Sequence, residues 1–354
     1  MVIDGSYGEG GGQILRTSLA MAALLGRDIE IVNIRRGRKN PGLQPQHLTA
    51  VRAMAIITGA QLEGDALGSE EMRFYPRQPR GGDYEFDVAQ VRASAGSVGL
   101  IFQAVAPALF FAGRASRLIL KGGTHVAWSP PTTYLESVFL PVLTSMGLRA
   151  TVKTKQWGWY PKGGGVAEAE VAPARSVKPM QLDDRGEFLT IEGLSVVSNL
   201  RPSIAERQRD RFLRRLKEKG LRAEFEILQA PSPGQGTFIL GVVRYERAVA
   251  GFSALGEAGK PAERVADEAF QDFDRHHNSG RAVDEHLADQ LLIYMALAEG
   301  VSSFTTSQIT QHLLTNCWVI EQFLPVKFKI EGKQGEVGRV EVHGLGYAGS
   351  MNPR

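Results

Sequence analysis

Asp4-Gly5-Ser6-Tyr7-Gly8-Glu9-Gly10-Gly11-Gly12-Gln13-Ile14-Leu15-Arg16 sets five glycines in eight positions, Gly5 to Gly12. It then enters an apolar period (Ile14, Leu15, Ser18, Leu19, Ala22, Leu25) that stops at Gly26. The spacing predicts a glycine turn feeding an amphipathic helix with Gly26 as its C-terminal stop. Glycines let backbone N–H groups approach an anion, and the positive end of the helix dipole favours negative charge there. Glu9 is placed to hold a divalent metal, and Arg16, one turn into the helix, to clamp a phosphate. Taken alone, the same stretch reads equally well as a tight strand-to-helix connection.

Two common nucleotide motifs are excluded. Gly12 is followed by Gln13 and Ile14, not by the Lys and Ser/Thr of a P-loop. A dinucleotide fingerprint through Gly8 and Gly10 would need its third glycine at Gln13. The net charge of +3 permits a polyanionic partner without demanding one. A lone cysteine, Cys317, excludes an internal disulfide and a thiolate zinc cage, so a cytoplasmic protein is expected. Asp4 and Glu9 stand where a signal peptide would be apolar. The run Val98 to Gly113 is too short and too interrupted, by Gln103 and Pro107, to span a bilayer, so no membrane partner is expected.

Working outward, Asp28–Ile34 alternates as a half-buried strand and empties into Arg35-Arg36-Gly37-Arg38-Lys39. That loop can contact phosphates or simply stand in solvent. A helix through Leu48, Val51 and Met54 stops at Gly59, and strands follow near 72–75 and 84–88. The β-α-β-α-β-β order then recurs: helix 98–111, kinked at Pro107, strand 117–120, helix 134–146 and strands near 148–154 and 166–171. A third unit has helix 284–298, strand 302–305, helix 312–323 and strands 326–331 and 338–342. Between units two and three the texture changes. Ser203-x-x-Glu206 reads as a capping box before a helix rich in Arg and Lys; strands 224–228 and 238–243, a loop from Gly251 to Pro261 and another helix follow. The expected fold is therefore α/β (α+β). Three βαβαββ repeats form a large domain (1–184 and 281–354), and residues 185–280 form an inserted α/β subdomain. Adjacent His276 and His277 diverge and lack a carboxylate partner, so a metal site there is rejected.

Gln311-His312-Leu313-Leu314-Thr315-Asn316-Cys317 lies where a strand hands over to the last helix. The dipole at a helix N-terminus disfavours the imidazolium, leaving a neutral, nucleophilic ring beside a phosphate-attracting terminus. A lone histidine there can equally cap or pack. Cys317 sits deeper, among Leu313, Leu314 and Trp318, where burial raises a thiol's pKa.

Residues 4–16, Arg-Lys-Asn-Pro-Gly-Leu-Gln-Pro-Gln-His-Leu (38–48), Lys-Gly-Gly-Thr (121–124), Tyr-Pro-Lys-Gly-Gly-Gly (160–165), Leu-Ala-Asp-Gln-Leu (287–291) and His-Leu-Leu-Thr-Asn (312–316) together resemble the RNA 3′-terminal phosphate cyclases, bacterial branch, across essentially the whole chain. The resemblance implies that His312 takes AMP from ATP, that the AMP passes to an RNA 3′-terminal phosphate, and that the ribose 2′-OH closes a 2′,3′-cyclic phosphate. It implies Glu9 as ligand to a divalent metal, Mg or Mn. It implies Gln13, Arg16, Gln103, Asp289 and Gln290 around ATP, Pro130 against the adenine, and Phe252 covering the base from the other side. Arg35, Arg38, Gln46 and His47 would engage the RNA terminus or phosphates. His286 stands where a close relative has tyrosine, and an imidazole can still stack on adenine. A homodimer is expected by analogy. Two alternatives are a catalytically silent RNA-binding relative acting in ribosome assembly, which would lack His312, and an enolpyruvyl-transferase-like enzyme of the same architecture, which needs no adenylylated residue.

Overall fold

The computed structural model describes residues 1–90 and 94–349. Its first unit is β1 (Val2–Asp4), α1 (Gly12–Leu25), β2 (Ile29–Val32), α2 (Pro45–Thr58), β3 (Gln61–Glu63) and β4 (Met72–Tyr75). The sheet order is β1-β2-β4-β3, with β1 and β2 parallel and the other pairs antiparallel. Gly26 and Gly59 end α1 and α2 in the left-handed conformation, at φ 59° and 62°, as expected of the glycine stops.

The second unit is β5 (Asp83–Asp87), α3 (Val98–Phe110), β6 (Ser116–Gly122), α4 (Thr132–Tyr134), a π turn (Leu135–Phe139), α5 (Leu140–Ser145), β7 (Ala150–Gln156) and β8 (Gly165–Val171). Its order, β5-β6-β8-β7, and its mixture of one parallel and two antiparallel pairs repeat the first. The expected single helix 134–146 is divided here. Pro141 lacks the N–H its turn requires, and the wider π turn accommodates it.

The third unit opens with β9 (Gln181–Leu182) and is then interrupted by β10 (Phe188–Ser198), α6 (Ser203–Glu218), β11 (Glu224–Gln229), β12 (Gly236–Tyr245), β13 (Val249–Leu255) and α7 (Ala262–Ser279). It resumes with α8 (Glu285–Leu297), β14 (Glu299–Thr306), α9 (Gln311–Phe323), β15 (Lys329–Glu331) and β16 (Gly338–Leu345). The order β9-β14-β16-β15, with β9 and β14 parallel, is the same plan a third time. The interruption falls between the first strand and first helix of the unit.

The interrupting segment has its own sheet, β11-β10-β12-β13. Its face toward α6 and α7 carries Ile191, Ile239, Val243 and Phe252, which form a separate core with Phe270 and Phe273 of α7. Val196, Phe238, Leu240 and Val242 instead join the core shared by the three units. Two expectations change here. The capping box at Ser203 does not form, because the helical turn already begins at Pro202 (φ −54°) and Ser203 lies inside the helix. The loop expected from Gly251 starts as a strand, because Val249–Leu255 pairs along β12.

Helix α1 packs against α2, α3 and α9, and α8 against α9. The helices therefore meet one another, and their N-terminal ends are brought together although they come from different units. Among the described residues no helix is long and apolar enough to cross a membrane.

Candidate active site

The glycine turn is built to lie against the first turns of α9. Gly8 and Gly10 have φ of 57° and 58°, and a Cβ added at Gly8 would stand 2.5 Å from Thr315 Oγ1. Without that Cβ, the Glu9 N–H reaches Thr315 Oγ1 at 3.2 Å. Tyr7 stacks on Trp318 with centroids 3.9 Å apart, and Thr17 Oγ1 donates to Asn316 Oδ1 at 2.6 Å. The start of α1 is thus clamped beside the start of α9.

His312 is the second residue of α9, behind the N-cap Thr310, whose hydroxyl accepts from the Leu313 N–H. Its side chain is 53% exposed. On its inner side, Nδ1 meets Gln13 Oε1 at 2.5 Å, and Gln13 Nε2 donates to Asp289 Oδ2 at 2.5 Å. An amide oxygen can only accept, so Nδ1 carries the proton and the Nε2 lone pair is left for chemistry. Burial pushes the imidazole's pKa below the usual value; the Asp289 carboxylate opposes this, and Arg16 and Arg38 reinforce it. The neutral ring is the form present at pH 7.

Burial also raises the Asp289 carboxyl, against the pull of His312, His286, Gln13 and Arg16. The same burial lowers the Arg16 guanidinium to about 10. Gln103 Nε2 donates to Gln290 Oε1 at 2.5 Å, and Gln290 Nε2 to the His286 carbonyl at 2.6 Å. Gln13, Arg16, Gln103, Asp289 and Gln290 line one cavity of about 70 Å3. Pro107 also lines it and has no N–H to offer the Gln103 carbonyl one turn before. Five of the residues read from the sequence therefore converge here, beside His312.

Glu9 lies across from them. Its Oε2 is 3.5 Å from His312 Nδ1 and is buried without a hydrogen-bond partner. Its Oε1 pairs with Arg38, which also donates to the Glu9 carbonyl at 3.1 Å. A single orphaned carboxylate oxygen fits a hard cation that takes its other oxygens from phosphates and water. No group of three or more His, Cys, Asp or Glu side chains that could hold a metal exists among the described residues. A closed protein cage is therefore not the arrangement.

The remaining phosphate candidates divide. Arg38 reaches the site, but Arg35 Nη1 donates to the carbonyls of Asn40 (2.5 Å) and Gly42 (3.1 Å), shaping its own loop at φ 55°. Gln46 Oε1 accepts from the Ser97 N–H at 3.1 Å and ties α2 to the start of α3. His47 is buried under Gly12, where any Cβ would strike its ring. Its Nδ1 accepts from the Gln44 N–H at 3.2 Å, and burial with Arg16 and Arg35 holds its pKa near 3.

Pro130 lies against the first turn of α3, its carbonyl so close to Gly99 that no side chain fits there. His286 is exposed in the first turn of α8. Phe252 is a correction. On β13 the alternation turns Gly251 toward Tyr134 and Val138 and sends Phe252 the other way. Its ring is 5% exposed, 5.8 Å from Phe273 and 5.3 Å from His276, within the inserted core and not over a base. Arg207 and Arg211 of the basic helix α6, and Lys219 just past its end, pair with Glu263, Asp267 and Asp274 of α7. His276 is buried without a partner on either nitrogen, and burial together with Arg185 and His277 lowers it to about 3.

Three contributors were not singled out from the sequence. Asn316 Nδ2 donates to the Asp289 carbonyl at 2.9 Å while holding Thr17, and Thr315 receives the glycine turn. Both stand within one turn of His312, and the i, i+4 rule places Asn316 on its face. Asp284 caps α8, accepting from the N–H groups of His286 and Leu287. It also takes the Tyr134 hydroxyl at 2.9 Å and the Gly251 N–H at 3.4 Å, joining β13 to the helix that carries Asp289.

Comparison with known proteins shows the family to which the chain belongs. The family model described as "RNA 3'-terminal phosphate cyclase" matches residues 7–330. A Pyrobaculum neutrophilum protein of that name is 45% identical over 98% of this chain and 99% of its own length. One from Pyrobaculum aerophilum is 44% identical over 98% of each chain. One from Methylococcus capsulatus is 44% identical over 97% of this chain and 96% of its own. With Gly8 to Gly12 of the glycine turn, the buried Gln13 and His312 all inside the matched region, the chain belongs to the RNA 3′-terminal phosphate cyclase family.

Proposed function

We propose that the protein converts an RNA 3′-terminal phosphate to a 2′,3′-cyclic phosphate at the expense of ATP. The His312 Nε2 lone pair attacks the α-phosphorus of ATP, forming a P–N bond as pyrophosphate leaves. An oxygen of the RNA 3′-phosphate then displaces the imidazole and takes the adenylyl group. The adjacent 2′-OH attacks the 3′-phosphorus, loses its proton and expels AMP. A phosphate dianion resists attack by a hydroxyl; the adenylate supplies the missing leaving group.

The chain's own residues have separable parts in this reading. Gln13, backed by Asp289, holds Nδ1–H and keeps Nε2 unprotonated. Arg16 and Arg38 meet phosphate charge, Gln103 and Gln290 hydrogen-bond the nucleotide, and Pro130 and His286 flank its base. Mg or Mn bound by Glu9 and phosphate oxygens would neutralise charge on the phosphates. The same proposal keeps 1–184 with 281–354 as the catalytic domain and 185–280 as a subdomain. The names of the relatives and the Asp289–Gln13–His312 chain support it, and that chain is the observation that carries it. A silent RNA-binding relative has no use for a nucleophile so oriented.

ATP labelled at the α-phosphate tests the reading. Acid-labile, alkali-stable label on the protein is expected, chased by RNA bearing a 3′-phosphate and not by RNA ending in a 3′-OH that carries no phosphate. Label from the γ-phosphate, or none from the α-phosphate, would contradict it.

A further inference from the structure

Trp128 has 99% of its surface exposed. The other three tryptophans are covered: Trp157 and Trp159 are 5% and 3% exposed, and Trp318 is stacked on Tyr7. Trp128 also has φ 61°, a left-handed backbone that disfavours a bulky side chain. A costly conformation that presents a bare indole to water is an outlier pointing to use and not to packing.

The loop that presents it is anchored. Ser129 Oγ donates to the Val126 carbonyl at 2.9 Å, and the N–H groups of Thr124 and His125 both reach the Gly158 carbonyl, at 3.1 and 3.2 Å. The His125 ring stacks on Trp157 with centroids 3.7 Å apart. From the same junction rises Tyr160, 78% exposed, followed by Lys162, whose Nζ is set on the Pro233 carbonyl at 2.8 Å. The opposite end of the loop leads to the active site. Pro130 is two residues from Trp128, a reach of at most about 7 Å, and touches α3 one turn before Gln103. The indole is thus carried on the loop that also holds Pro130 against α3, the helix of Gln103, and that loop is tied to Gly158, two residues before Tyr160 and four before Lys162.

We propose that Trp128 is a stacking platform for a nucleobase of single-stranded RNA just upstream of the 3′-phosphate, with Tyr160 extending the track. This rests on the function proposed above, which requires such an end to reach His312. Every base offers a π face, so rings on rigid loops give affinity without sequence preference, and the lysine serves the backbone. The placement also accounts for a terminus-directed enzyme: the platform holds the strand while the last phosphate reaches His312.

The indole is its own reporter. Titration with a single-stranded oligoribonucleotide bearing a 3′-phosphate, in the absence of ATP, is expected to quench the protein's fluorescence. Trp128→Gly, which suits the left-handed backbone, is expected to lose most of that quench and raise Kd roughly tenfold. Trp128→Tyr should recover most of the affinity. Intact mass should show the AMP adduct forming at the same rate in all three proteins. Unchanged RNA affinity in Trp128→Gly overturns the proposal, as does equal quenching by a blunt duplex. Slowed adduct formation with RNA affinity intact would assign the ring to the nucleotide and overturn it equally. Failure of the wild type to form the adduct would count against the proposed function, whereas the RNA affinities test the platform alone.

Discussion

Two histidines stand in the first turns of two helices, yet their nitrogens are set in opposite senses. His47 in α2 accepts from the Gln44 N–H through Nδ1, so its proton sits on Nε2, packed beneath Gly12. His312 in α9 faces the Gln13 carbonyl through Nδ1, so its lone pair is on Nε2, on a side chain half open to solvent. Both rings are held neutral by burial. Neutrality alone therefore does not make a nucleophile. What separates the two is the partner of Nδ1, a donor in one case and an acceptor in the other, together with an open path to the second nitrogen.

The largest expected effect breaks the comparison outright. His312→Ala should abolish the adenylylated protein and lower cyclisation at least about 1,000-fold, while His47→Ala still gains label. Next is the tautomer: Gln13→Leu keeps the ring but frees Nδ1, and the rate of adduct formation in single-turnover assays should fall about 10- to 100-fold. The pH profile then sharpens the contrast. Adduct formation needs neutral His312, so its rate should rise with pH through an inflection below 6.5, and Asp289→Asn should move that inflection lower still, because the carboxylate opposes the downward shift.

For His47 the linkage appears in stability and not in rate. Its folded pKa, about 3, lies below the unfolded value near 6.5, so the unfolded chain binds the proton more readily. Its contribution is complete above pH 6.5 and is lost as pH falls toward 3. Urea midpoints should decline over that window, less steeply in His47→Gln. Smallest is the clamp: Gly8→Ala puts a Cβ against Thr315 in a left-handed backbone and should cost about 1–2 kcal/mol in urea unfolding, part of it recovered in the double variant with Thr315→Ala.

Much of this fold is legible because its signals are local. Gly26 and Gly59 stop helices wherever the rest of the chain lies, and the recurrence of β-α-β-α-β-β needs only periodicity. The failures are tertiary. Residues 249–255 form a strand because β12 offers an edge, and Phe252 turns into the inserted core because strand alternation sends Gly251 the other way. The pairing of Arg207 and Arg211 of α6 with Glu263 and Asp267 of α7 joins residues far apart in the chain, which composition alone does not show. In the site, motif resemblance gathers Gln13, Asp289 and His312 without saying how they touch. The decisive contact joins residues 299 positions apart. Arg35 and Gln46 stand in the right stretch, but their polar heads serve the loop and the start of α3, which spacing does not reveal.

The most direct measurement is the intact mass of the protein after incubation with ATP and Mg, followed by peptide mapping under alkaline conditions. One added adenylyl group is predicted, on the peptide containing His312 and on its Nε2. An unmodified protein, or an adduct on any other peptide, His47's included, would contradict the account.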